Sequence, residues 1–228
     1  MKLPKETKSH GKWYEDACGT AFALELVGER WSLLIVRELM FGGRRFTDLR
    51  AALPGISAKV LTERLEGLDK AGIVRRRQSP PPQSAQLYEL TEWGLQADEA
   101  IMALGRWAAA SPAHDPTLPL SAASLMLSFR TMFDTARSDG LDFQAAITVG
   151  AEPFRVEITG GSLAAARGEA GNPAFTLAAP AAMPIAALVY GKVPAADLTS
   201  TGLAVSGDEA MLARFVDLFH LPAKAAAA

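Results

Sequence analysis

The chain has 228 residues, 49% hydrophobic and 21% charged, an apolar share that can offset the ordering entropy of folding and so excludes wholesale disorder. A single cysteine, Cys18, rules out an intramolecular disulfide framework, and the three scattered histidines His10, His114 and His220 argue against a metal site. The formal charge of −2 hides an asymmetry, with +2 on residues 1–112 and −4 on residues 113–228.

The segment Met1–Lys8 has no apolar core of the kind a secretory leader needs, so a cytoplasmic protein is expected. Residues 16–27 place Ala17, Phe22, Leu24, Leu26 and Val27 on a predicted helix, with Gly28 as its C-cap. Residues 30–41 repeat apolar groups at Trp31, Leu34, Ile35 and Leu39, a helical stripe that Gly42-Gly43 stops. Phe46–Leu53 is a short predicted helix with Thr47 as N-cap, and Pro54-Gly55 forces a turn. Ser57 caps the next helix, whose buried stripe is Leu61, Leu65, Leu68 and Ala71, and Gly72 closes it. Two β-prone runs follow, 73–77 and 87–90, around a loop that holds Pro80, Pro81 and Pro82. Thr91 then caps a long helix to about Ala110, with Leu95, Ile101, Leu104 and Trp107 as apolar contacts.

A short helix, a turn, a capped helix and a basic hairpin describe a winged helix-turn-helix. A B-form major groove, about 12 Å wide, admits one helix. The helix from Ser57 presents Ser57, Ala58, Lys59, Thr62, Glu63 and Glu66 on its outer face, and its N-terminal end is suited to base contacts. Residues 44–77 hold nine basic groups against four acidic ones, a local charge of +5. Such a patch on an acidic chain points to a polyanion, with a solvated charged face as the alternative. The expected contacts to double-stranded DNA are Arg44, Arg45, Ser57, Lys59, Thr62 and Arg64, with Arg75, Arg76 and Arg77 along the backbone or minor groove. Arg64 can be read in two ways, as a phosphate contact or as the partner of a carboxylate within the fold.

The run Cys18…Leu26-Val-Gly-Glu-Arg-Trp31-Ser-Leu-Leu-Ile35…Arg37-Glu-Leu39…Gly42…Arg45-Phe46…Leu53-Pro-Gly-Ile-Ser57…Leu61-Thr-Glu-Arg-Leu65…Ala71-Gly-Ile73-Val74 closely resembles the HxlR-type transcriptional regulators. The match continues through Tyr88-Glu-Leu-Thr-Glu92 and Gly94, and covers about half the chain. The resemblance implies a homodimeric winged-helix DNA binder that dimerises through the N-terminal and C-terminal helices of the domain. Some members use the cysteine near their start as a redox switch, and Cys18 occupies that position; the competing reading is a small semi-buried hydrophobe. Lys12, six residues away, gives no assured partner to lower its pKa. The three wing prolines depart from the family pattern and would stiffen the wing.

Three prolines between Ser111 and Pro119 suggest a linker, which gives a winged domain at 1–110, a linker at 111–119 and an α+β domain at 120–228. The second domain reads as a helix over 121–137, then strands near 143–149, 154–159, 162–166 and 174–177. Helices near 181–190 and 208–219 follow, with a strand at 202–205 between them. Residues 170–191 carry no charge, but Gly171, Asn172, Pro173, Pro180 and Pro184 break the stretch, so it reads as strand and helix and no membrane partner is expected. The last six residues read as a frayed tail. The strand Ala174–Leu177 and the stretch from Tyr190 to Phe215, with Gly202 and Gly207-Asp208, resemble sterol-carrier-protein-like lipid-binding domains. That resemblance implies an apolar pocket for a small hydrophobic molecule, with Met126, Phe129, Phe133, Phe175, Met183, Leu188, Phe215 and Phe219 as its lining. A closed core is the alternative.

No nucleophile elbow, phosphate-binding glycine loop or His-Glu-x-x-His motif occurs, so neither an enzyme nor a cofactor is expected. The reading is therefore a homodimeric DNA-binding transcriptional regulator, controlled by an apolar ligand or by Cys18 oxidation. The alternative is a lipid-binding or interaction protein that keeps the winged domain as a scaffold.

Overall fold

The computed structural model describes residues 14–79 and 84–226; His10, Lys12 and the wing prolines Pro80–Pro82 lie outside the described residues. The chain divides into two compact units, residues 1–36 with 44–95, and residues 37–43 with 96–228. This division differs from a boundary at 111–119. Those residues form a loop inside the second unit.

The first unit holds α1 (Gly19–Val27), the start of α2 (Ser32–Leu39), α3 (Phe46–Ala52), α4 (Ala58–Lys70), β1 (Val74–Gln78), β2 (Gln86–Leu90) and α5 (Glu92–Leu95). The helical stripes bury Ile35, Val36, Leu49, Leu53, Leu61, Leu65 and Leu68. Arg45, not Thr47, is the N-cap of α3, and the Thr47 hydroxyl donates instead to Asp48 at 3.2 Å. β1 and β2 pair antiparallel, with Arg75 opposite Glu89 and Arg76 opposite Tyr88. Arg44 adds a bridge to Tyr88, exchanging backbone hydrogen bonds of 2.9 and 2.8 Å. Thr91 accepts from the Gly94 amide at 3.0 Å and donates to the Gly72 carbonyl at 2.7 Å. A Cβ on Gly94 would lie 2.2 Å from the Ile73 carbonyl oxygen, so only glycine permits this close approach. The long helix expected after Thr91 is interrupted at Gln96–Ala97, where the chain passes into the second unit.

The second unit contains α6 (Asp98–Ala109), α7 (Ala122–Met132), a 3-10 turn (Thr135–Ser138), β3 (Phe143–Val149), β4 (Glu152–Thr159), β5 (Ser162–Arg167), β6 (Phe175–Ala179), α8 (Ala182–Val189), a second 3-10 turn (Ala195–Thr201), β7 (Ala204–Gly207) and α9 (Glu209–Asp217). The five-stranded mixed sheet has the order β5-β4-β3-β6-β7, and only β3 and β6 run parallel. Alternation along β3, β4 and β6 turns Phe143, Ala145, Ile147, Val149, Phe154, Val156, Ile158, Phe175 and Leu177 into the core. α7 is buried along nearly its whole length and caps on Ser121, whose hydroxyl accepts from the Ser124 amide. α6 belongs here because Arg130 of α7 grips Asp98 and Arg106 reaches the Thr131 carbonyl.

The expected pocket lining is largely packed. Met126, Phe129, Phe175, Phe215 and Phe219 are fully buried, Leu188 is buried, and Phe133 and Met183 are half-buried. Ring centroids lie 4.8 Å apart for Phe215–Phe219, 4.9 Å for Phe129–Phe219, 5.2 Å for Phe175–Phe215 and 5.6 Å for Phe129–Phe215. These are touching distances, so these four rings pack against one another within the shared core of the second unit. Residues 224 and 225 also differ from a frayed tail, while 227–228 lie outside the described residues. Lys224 donates to the carbonyls of Ala109, Ser111 and His114 at 3.0–3.2 Å, and the Ala225 amide donates to Ala110 at 2.7 Å.

Among the described residues no helix is long and apolar enough to cross a membrane, and no group of three or more His, Cys, Asp or Glu could hold a metal ion.

Candidate nucleic-acid interface

α4 forms because its N-terminus is capped and one face is apolar. The Ser57 hydroxyl accepts from the Val60 amide at 3.2 Å, and Leu61, Leu65 and Leu68 point inward. The opposite face carries Ala58, Lys59, Thr62, Glu63 and Glu66, all exposed. Lys59 is 86% exposed and 3.9 Å from Glu63, a solvated pair that holds it only weakly. The Thr62 hydroxyl donates to the Ala58 carbonyl at 3.0 Å, so its methyl group and acceptor lone pairs remain to face a partner.

The three wing arginines do not form one patch. Side chains alternate along a strand, so Arg75 and Arg77 share one face of β1 and Arg76 takes the other. Arg75 and Arg77 donate to the two carboxylate oxygens of Glu89 at 2.8 and 2.7 Å. Burial opposes ionisation of Glu89, but its hydrogen bonds and charge attraction to Arg77 and Arg75 outweigh that and hold its carboxyl below the ordinary range. Arg76 lies 3.5 Å from Asp69 and over the Tyr88 ring, 5.8 Å from its centroid. Arg44 is half-buried and Arg45 exposed, beside the Tyr88 bridge.

Arg64 is turned inward to the loop between α1 and α2. Its Nε donates to the Arg30 carbonyl at 3.1 Å, and its guanidinium meets Glu29 at 2.9 Å. Of the two readings of this arginine, the structure supplies the carboxylate partner. Glu29, Asp69, Tyr88 and Glu89 thus organise the basic residues, and the sequence alone assigned none of the four a role. Glu89 could have been found from the hairpin register, which sets it opposite Arg75.

Cys18 sits at the N-cap of α1 and is exposed, which corrects the reading of a semi-buried hydrophobe. The amides of Ala21 and Thr20 and the Thr20 hydroxyl face the thiol and lower its pKa.

Known proteins resemble the part of the chain that carries this geometry. The family model for the HxlR-like helix-turn-helix matches residues 26–115. The uncharacterized HTH-type transcriptional regulator YvaP of Bacillus subtilis is 36% identical over 86 residues, which is 38% of this chain and 80% of YvaP. The HTH-type transcriptional regulator YodB of the same organism is 37% identical over 86 residues, 38% of this chain and 77% of YodB. The solved structure of reduced YodB shares 34% identity, covers 43% of this chain and 98% of its own, and superposes with a TM-score of 0.39. A capped, outward-facing α4 beside a two-stranded wing, within a segment that spans most of the length of these relatives, places the chain in the HxlR-like helix-turn-helix family.

Proposed function

We propose that this protein is a sequence-specific, DNA-binding transcriptional regulator that acts as a homodimer. The observation that carries this reading is the Ser57-capped α4, its outer face open at Lys59 and Thr62, in the same unit as the β1–β2 wing. In this reading Ser57, Lys59 and Thr62 meet base edges or the nearest phosphates, and Arg44, Arg45, Arg75, Arg76 and Arg77 supply backbone contacts. Selecting fragments from a random duplex library with the full-length protein tests it. Enrichment of one motif, with a changed preference in Lys59→Ala or Thr62→Ala, is expected. Retention of no duplex would leave the lipid-binding or interaction reading.

Dimerisation through residues 14–27 and 92–110 is supported by two exposed apolar faces. α1 buries none of its residues and exposes Phe22 and Leu24, while α6 exposes Leu104 and Trp107, the latter by 77%. Light scattering of the full chain should give a dimer that Leu24→Glu or Trp107→Glu weakens. A strictly monomeric wild type refutes this part.

Control by an apolar ligand in a sterol-carrier-like second unit stands on the mixed sheet with α7, α8 and α9 packed into one shared core. A ligand shifts the protein only if it binds one of its conformations better than the other. Control by oxidation stands on the exposed, acidified Cys18.

A further inference from the structure

The turn between α1 and α2 is built as a seat for α4. α1 ends at Gly28, whose amide donates to the Leu24 carbonyl at 2.8 Å. Trp31 then adopts a φ of +81°, a left-handed conformation that is costly for a bulky residue and persists only where neighbours enforce it. Several neighbours do so. The Arg30 guanidinium lies over the Trp31 ring, 5.3 Å from its centroid. The far edge of the ring rests against Gly55, in the turn between α3 and α4, where a Cβ would lie 3.8 Å from it. Arg64 reaches from α4 to the Arg30 carbonyl and to Glu29, the two residues before Trp31. The strained turn is therefore held by α4 and by the turn that precedes α4.

We propose that Arg64 is a positioning residue for DNA reading. By clasping Glu29 and the Arg30 carbonyl, it fixes the setting of α4 against the end of α1, so that α1 determines how α4 is presented. This rests on the DNA-binding reading above and assigns Arg64 a role other than phosphate contact. The guanidinium suits the task because its planar fork engages a carbonyl and a carboxylate in one fixed orientation. Only 24% of the side chain is exposed, so its charge is directed into the fold.

The two roles predict opposite signs at Glu29. Removing an acidic charge near DNA should tighten binding to every duplex if electrostatics alone matters. If Glu29 instead holds Arg64 in place, Glu29→Gln weakens binding to the selected motif and leaves an unrelated duplex unaffected. The experiment measures the affinity of full-length wild type, Glu29→Gln, Arg64→Gln and the exchanged Glu29→Arg/Arg64→Glu variant. The probes are the motif selected by wild type and an unrelated duplex, each at several salt concentrations. Both single variants should lose motif affinity by about tenfold, the scale of one charged hydrogen bond, while the salt slope on the unrelated duplex stays unchanged. The exchanged variant should recover part of the loss, because the ion pair re-forms and the hydrogen bond to Arg30 does not. A slope about 0.9 flatter in Arg64→Gln, with tighter binding in Glu29→Gln, would make Arg64 a phosphate contact and overturn the proposal. Hydrogen exchange of the free protein reads the clasp without DNA: Glu29→Gln and Arg64→Gln should both speed exchange at residues 29–32 and on α4. Unchanged exchange in both segments refutes the clasp, whereas a wild type that prefers no duplex refutes the DNA reading and leaves the exchange result to decide the clasp.

Discussion

Replacing Glu89 with Gln tests the wing directly, because this carboxylate holds Arg75 and Arg77 on one strand face. Two guanidinium charges against one carboxylate leave that face at +1, and the substitution raises it to +2 while keeping an amide oxygen as acceptor. If the face lies along DNA, one more phosphate is neutralised. Each phosphate steepens the dependence of log affinity on log salt by about 0.9, so across a fourfold rise in salt the variant should lose about 3.5-fold more affinity than wild type. At low salt it should bind any duplex more tightly. Arg75→Ala/Arg77→Ala runs the other way, taking the face to −1 and flattening the slope by up to about 1.8. Fluorescence anisotropy with one unrelated 20-base-pair duplex suffices, since this part of binding does not depend on sequence. Slopes equal to wild type in both variants would place this face of the wing away from DNA. The substitution also removes a pH dependence. The folded-state pKa of Glu89 is depressed, so its pairing contributes stability above the unfolded carboxylate pKa and loses it as pH falls through the folded value. The stability of Glu89→Gln should be flatter across that acid window.

As the chain's one thiol, Cys18 should react with a maleimide with a pH midpoint below that of an ordinary cysteine, because the amides of Ala21 and Thr20 favour the thiolate; an ordinary midpoint would refute that environment. Phe215→Ala removes a fully buried ring in contact with Phe129, Phe143, Phe175 and Phe219 and should destabilise the second unit by about 3–5 kcal/mol in denaturant titration. A loss under about 1 kcal/mol would mean that the site is already loosely packed. Glu38 is fully buried and accepts from Arg37 at 2.9 Å and from Ser121 at 2.6 Å. Glu38→Ala removes this shared acceptor from Arg37 and Ser121 and should cost about 1–3 kcal/mol, with Glu38→Gln milder; equal stability in all three proteins would exclude the pairing.

Local signals were legible where the chemistry is local. Ser57 beside a Leu61-Leu65-Leu68 stripe specifies a capped helix whatever surrounds it, and the structure caps that helix on Ser57. The run Phe143–Val149 forms a strand with those bounds, and its burial alternates along it. Signals that depend on distant partners were not legible. The prolines of 112–119 look like a linker, but Arg130 and Asp98 bind α6 to α7, and Lys224 closes on the carbonyls of 109, 111 and 114. Phenylalanine content is the same for a pocket wall as for a packed core, and that four of these rings meet at separations near 5 Å depends on elements far apart in the chain.

The basic patch shows the same limit in its electrostatics. Residues 44–77 carry +5 when counted along the chain. Glu29 and Glu89 lie outside that window in sequence, yet they pair with Arg64 and with Arg75 and Arg77 inside it, and including them lowers the charge to +3. Lys59 is then the well-solvated cation of the outer α4 face, held only by a 3.9 Å contact to Glu63. If DNA lies on this face, as proposed, its binding draws less on bulk charge and more on where α4 is set. The residues that set α4 are the buried leucines, the Ser57 cap and the Arg64 clasp, so substitutions there should change which sequence is bound, while substitutions on the wing change mainly how salt-sensitive the binding is.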